Sequence, residues 1–139
     1  MRAIKEDYTA GHLVNLPGLI RGETFRDFLE MADHLLDAGY SDQALTTSVG
    51  VLEQHVRKLA GQRGIHVPGK GGGFVSASTI NDSLQRNGAY RTKADHARVQ
   101  LWLKMRNEPA HGEYGVQNET EIRHAIEGVR DFVERYPVD

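Results

Sequence analysis

The chain has 139 residues, a length that suits one domain. It carries 17 basic and 19 acidic residues for a net charge of −2, which argues against holding long nucleic acid by bulk charge. It contains no cysteine, which excludes a disulfide framework and thiolate zinc sites. Uncharged apolar runs are only a few residues long, so nothing is expected to span a bilayer. Arg2, Lys5, Glu6 and Asp7 interrupt the start where a signal peptide would need an apolar stretch, so a cytoplasmic location is expected.

Residues 1–21 lack helical periodicity, and Asn15-Leu16-Pro17-Gly18 marks a turn. They read as an N-terminal arm, with Leu13, Leu16, Leu19 and Ile20 as anchors on the bundle or on a partner copy. The remaining residues, 22–139, read as one helical domain. A first helix is predicted from Thr24 to Ala38, opened by a Thr24/Asp27 capping pair and stopped by Gly39. Ser41 is the expected cap of a second helix, whose Leu45, Val49, Leu52, Val56 and Leu59 follow the four-and-three spacing of a buried seam. The short link makes the two an antiparallel hairpin. Gly50 interrupts the second helix, where it could permit a close approach. Glu53 and Arg57 lie one turn apart beside the seam, where a surface ion pair is the plain reading.

Residues 61–73 are glycine-dense. Gly64 to Lys70 nearly spells a phosphate-binding loop, but Gly71 replaces the hydroxyl that would hold magnesium, and no strand precedes it. Lys70 remains a candidate phosphate contact on a connecting loop. A short helix over Ser78–Arg86 ends at Asn87-Gly88. Thr92 with Asp95 caps the next helix, whose apolar face is expected at Ala97, Leu101 and Met105 with Trp102 beside them. Asn118 with Glu121 opens the last helix, with Ile122, Ala125, Ile126, Val129, Phe132 and Val133 as its stripe and Tyr136-Pro137 as its end. The fold class is therefore all-α: an up-and-down bundle of about four long helices and one short. His12, His34, His55, His66, His96 and His124 are scattered without paired ligand spacing, so no metal or other cofactor is expected.

Arg106-Asn107-Glu108-Pro109-Ala110-His111-Gly112 puts a permanent cation, an amide and an imidazole within six residues. Pro109 cannot donate to the carbonyl of Met105, so the helix must end or kink there, which could bring Arg106 and His111 to face one phosphate-sized site. The plain alternative is a solvated helix end capped at His111-Gly112. The string from Trp102 to Gly112 resembles the R-x4-6-H signature of HEPN domains, the higher eukaryotes and prokaryotes nucleotide-binding family. The resemblance takes in the helix of residues 51–59 and the closing helix, and so spans roughly residues 22–136. It implies a helical bundle that commonly dimerises, and a metal-independent endoribonuclease of the toxin–antitoxin, stress or phage-defence kind. It further implies Arg106, Asn107 and His111 as catalytic residues. Glu53 and Arg57 would approach the RNA or nucleotide, because members often bring a polar or acidic residue to the site from an early helix, and Lys70 of the glycine-dense loop and Tyr114 of the loop after the motif are the other candidate contacts. An antitoxin or other partner protein is a further expectation. Tyr114 lies three residues after His111 where the toxins paired with nucleotidyltransferases have a tyrosine two after, so the chain departs from that subgroup. The alternative within the same resemblance is a non-catalytic module that binds nucleotide, RNA or protein.

Overall fold

A computed structural model describes residues 24–65, 75–107 and 118–138. These form five helices: α1 Thr24–Asp37, α2 Ser41–Gln62, α3 Ala77–Arg86, α4 Lys93–Asn107 and α5 Glu119–Arg135. Among the described residues there is no strand, and the architecture is an all-α bundle. No helix is long and apolar enough to cross a membrane.

The bundle is built around α2. Its seam residues Leu45, Val49, Leu52 and Val56 are fully buried, and Leu59 nearly so. This helix packs against each of the other four, most extensively against α1 and α5 on one side, and against α3 and α4 on the other. Phe25, Leu29, Ala32 and Leu36 of α1 meet Ile122, Ile126, Val129 and Phe132 of α5 within one continuous core. Arg130 to Asp33 (2.7 Å) and Arg123 to Asp37 (2.8 Å) tie α5 to α1 along the rim of that packing. Across the bundle, Ser78 to Gln100 (3.1 Å) and His96 to Asp82 (2.8 Å) join α3 to α4.

Local sequence explains where these helices stop. α1, α2 and α3 each run into a glycine with positive φ, at Gly39, Gly64 and Gly88. In each case the amide after the glycine reaches back to a carbonyl five residues earlier: Tyr40 to Leu35, Ile65 to Ala60 and Ala89 to Leu84. That 6→1 bond, with the glycine's own bond three residues back, satisfies carbonyls that would otherwise be left open. At its start α5 has the expected capping box, with Asn118 and Glu121 each accepting the other's backbone N–H. Ser76 caps α3, which begins at Ala77, one position before the expected Ser78, by accepting from the Thr79 amide at 3.2 Å.

Two sequence expectations are corrected. Ser41 is the first helical residue of α2, and Tyr40 occupies the cap without a side-chain bond. On α4 the buried face is Asp95, Val99, Trp102, Leu103 and Met105, whereas Leu101 is 55% exposed and Ala97 is also on the surface. The reason is a carboxylate. Asp95 turns inward, and the residues four, seven and eight positions later follow it onto the same face. The capping pair expected at Thr24/Asp27, the arm of residues 1–21 and most of the glycine-dense stretch fall outside the described residues or rest on them.

Candidate functional site

α4 delivers the candidate site, and its register is set at the opposite end. The Thr92 hydroxyl accepts the Asp95 amide at 3.3 Å and opens the helix. The Asp95 carboxylate, only 2% exposed, is then free to engage α5. Arg135 donates to both of its oxygens, at 2.8 and 3.1 Å, and the Tyr136 hydroxyl donates to the second oxygen. Arg91 in turn donates its backbone N–H to the Tyr136 hydroxyl at 2.8 Å. Hydrogen bonding from Arg135 holds the Asp95 carboxyl below its ordinary range against the opposing effect of burial. For Tyr136, burial and the bond to Asp95 together push the phenol up. Beside this cluster Tyr90 donates to Asn81, whose amide donates to the His96 carbonyl at 3.2 Å. The start of α4 is thereby fixed to both α3 and α5.

Arg106 follows Asp95 by eleven residues. At 3.6 residues per turn that is close to three full turns, roughly 16 Å along the axis and on nearly the same face. Arg106 therefore points where Asp95 points, into the bundle rather than out to solvent, and there it meets α2. Glu53 receives both ends of the guanidinium: Nη1 donates to Oε1 at 3.2 Å and Nη2 donates to Oε2. Both side chains are 26% exposed, so the pair is only partly in water. End-on bidentate contact fixes the plane of the guanidinium as well as its position. It uses two of the five N–H donors of the side chain.

The sequence candidates thus separate. Glu53 and Arg106, 53 positions apart in the sequence, are brought together from two helices. Arg57 lies one turn beyond Glu53 on α2, half-buried. Asn107 closes the last turn of α4. His111, Tyr114 and Lys70 lie outside the described residues. Among the described residues no group of three His, Asp or Glu side chains is gathered to hold a metal ion.

Two features went unread in the sequence. One is the Asp95–Arg135–Tyr136 cluster, whose partners are 40 and 41 residues apart and whose members read individually as a helix cap and a helix end. The other is His55, which is 1% exposed, packed edge-on between Phe25 and Phe132, and hydrogen-bonded through Nε2 to the Tyr136 carbonyl. Its Nδ1 is buried without a partner. Burial pushes this imidazole below its ordinary pKa, with Lys58 adding to the effect and the carbonyl bond opposing it. His55 lies beneath a cavity of about 610 Å³ between α1 and α5. Glu53, two residues earlier, faces roughly the opposite way on the helix, so this cavity is separate from the Glu53–Arg106 pair.

No protein-family model, curated protein or solved structure matches the chain.

Proposed function

We propose that the chain is a metal-independent endoribonuclease of the HEPN kind that cleaves RNA by attack of a 2′-hydroxyl on the adjacent phosphate. The observation that supports this reading is the placement of Arg106. It is carried in the last turn of α4, oriented by a carboxylate from α2, and followed within five residues by His111. A phosphate passing through a pentacovalent state needs a fixed cation, and a guanidinium held in one plane supplies it without reorganising at the moment of reaction. His111 supplies proton transfer, because an imidazole titrates near ~6.5. Asn107 orients the imidazole or the phosphate. Arg57, Lys70 and Tyr114 are the further RNA contacts. The products are a 2′,3′-cyclic phosphate, or its hydrolysis product, and a 5′-hydroxyl. A homodimer that pairs two motifs, an antitoxin or other partner protein, and a role as a toxin, stress or defence effector in the cytoplasm belong to the same proposal.

The second reading is a non-catalytic module that binds nucleotide, RNA or protein. It is favoured by the same pair, since a guanidinium already matched to a carboxylate also serves as a bridge between helices. Incubating purified protein with RNA in EDTA separates the two. Cleavage that ignores EDTA and is abolished in Arg106→Ala and His111→Ala is the expected outcome. Cleavage that survives in the double variant ends the ribonuclease reading, and RNA binding without cleavage selects the module.

A further inference from the structure

We infer that the cavity between α1 and α5 is a binding site for a small organic cation, an arylalkylamine that carries a hydrogen-bond donor on its ring. Among the described residues two buried side-chain atoms have no hydrogen-bond partner, Nδ1 of His55 and Oδ1 of Asp33. Buried polar atoms are nearly always paired, so each exception calls for an explanation. Both exceptions belong to the surroundings of this one cavity. His55 lines it, and Asp33 uses its other oxygen to hold Arg130, which also lines it, at 2.7 Å.

Both atoms call for a donor. A carboxylate oxygen such as Asp33 Oδ1 can only accept. For His55 the tautomer decides. Its Nε2 lies against the Tyr136 carbonyl, which can only accept, so Nε2 carries the hydrogen. The neutral ring then presents Nδ1 as a bare lone pair. What is unmet at this cavity is thus entirely acceptor.

Size and charge agree with that demand. The volume of about 610 Å³ lies within the roughly 300–1,000 Å³ of small-molecule sites. Phe25 and Leu29, both buried, line its inner part with His55, and exposed Glu30 and Glu134 stand at its mouth. Asp33 and Glu127 already hold Arg130, so the carboxylates around the cavity outnumber the guanidiniums of Arg26 and Arg130. The local field therefore favours a cation over an anion. An aromatic ring is seated against Phe25 and Leu29, its hydroxyl donates to Nδ1 of His55, and its ammonium rests between Glu30 and Glu134. His55 is only 1% exposed, so the side chains above the ring must part slightly to seat the hydroxyl. A direct readout of Nδ1 is for that reason the decisive measurement.

The test compares three probes on the full chain at pH 7.5 by calorimetric titration. Tyramine has both the phenol and the ammonium, phenethylamine lacks the phenol, and 3-(4-hydroxyphenyl)propionate replaces the ammonium with a carboxylate. Tyramine should bind about tenfold more tightly than phenethylamine, the worth of one buried hydrogen bond. It should bind at least about tenfold more tightly than the propionate, whose charge meets the wrong sign at the mouth. The nitrogen-15 resonance of His55 Nδ1 should move upfield with tyramine, as a bare imidazole nitrogen does on accepting a hydrogen bond, and stay in place with phenethylamine. Glu30→Gln with Glu134→Gln alters only exposed side chains and should weaken both amines by the same few-fold factor. A full chain that binds none of the probes overturns the inference, as does one that takes the propionate as tightly as tyramine. Equal affinity for the two amines with an unmoved Nδ1 overturns it too, leaving His55 a core residue under an apolar groove.

Discussion

At the scale of single residues, the chain spends two buried polar groups in opposite ways. Asp95 is charged and fully engaged, with Arg135 and Tyr136 supplying the hydrogen bonds that water would otherwise give. His55 is held toward its neutral form, because burial among Phe25, Phe132 and the α2 seam disfavours a charge and, among the described residues, its hydrogen-bond partner is the Tyr136 carbonyl. Its folded pKa therefore lies below the 6.5 of the unfolded chain. Between these two values the unfolded state binds a proton that the folded state does not, so stability must fall as pH drops below about 6.5. Above that pH the contribution of the neutral ring is complete. Urea midpoints at pH 7.5 and 5.5 should show this decline in wild type and a smaller one in His55→Gln, which keeps a donor near the Tyr136 carbonyl but does not titrate. Equal declines in the two proteins would mean that another group carries the acid sensitivity.

Within single elements, two mid-helix glycines show how surroundings decide the sign of one substitution. Each costs its helix up to about 1 kcal/mol relative to alanine. Among the described residues nothing lies within 4 Å of where a Cβ on Gly50 of α2 would stand, so no close approach between them explains it. Gly50→Ala should raise stability by about 0.5–1 kcal/mol in chemical denaturation. A Cβ on Gly128 of α5 would come within 2.9 Å of the Trp102 Cη2 atom and closer still to Cζ2. Gly128→Ala should therefore destabilise despite its better helix propensity, by about 1–2 kcal/mol once an overpacking cost of 1–3 is set against the helical gain. A loss of stability in Gly50→Ala would show that its open face is occupied in solution, and a neutral Gly128→Ala would show that Trp102 can swing away.

The same elements show what a sequence can disclose. The α2 seam, the Asn118/Glu121 box and the stops at Gly39 and Gly88 were legible because their determinants lie within a few residues of one another. The face of α4 was misread because Leu101 looks apolar and Asp95 looks polar, and only a partner 40 residues away reverses their places. The Glu53–Arg106 pair falls between these cases. Nothing local to either residue announces it, since Glu53 has a cation of its own one turn away in Arg57. The resemblance around Arg106 implies an acidic side chain from an early helix beside it, and what the structure shows is the ion pair between Arg106 and Glu53 of α2.

For the molecule as a whole, the charge balance limits how RNA could be held under the proposed function. With 17 basic and 19 acidic residues, the long-range field repels a polyanion slightly, and attraction must come from a few local contacts. Several arginines are already committed: Arg123 and Arg130 tie α5 to α1, and Arg135 secures Asp95. These bridges hold the bundle together, and withdrawing one to bind phosphate would take a charged partner from its carboxylate. Under the proposed function, RNA affinity then depends on Arg106 and one or two neighbours rather than on a basic surface. For single strands log K falls with log salt at a slope of about −0.7 per phosphate neutralised, so two or three contacts give roughly −1.5 to −2. Titration of a fluorescent RNA against the His111→Ala protein, from 50 to 300 mM salt, measures that slope without cleavage. Arg106→Ala in the same background should make it shallower by about 0.7. A slope several times steeper, or one indifferent to Arg106, would place RNA on some other surface and leave the Glu53–Arg106 pair as a bridge between helices.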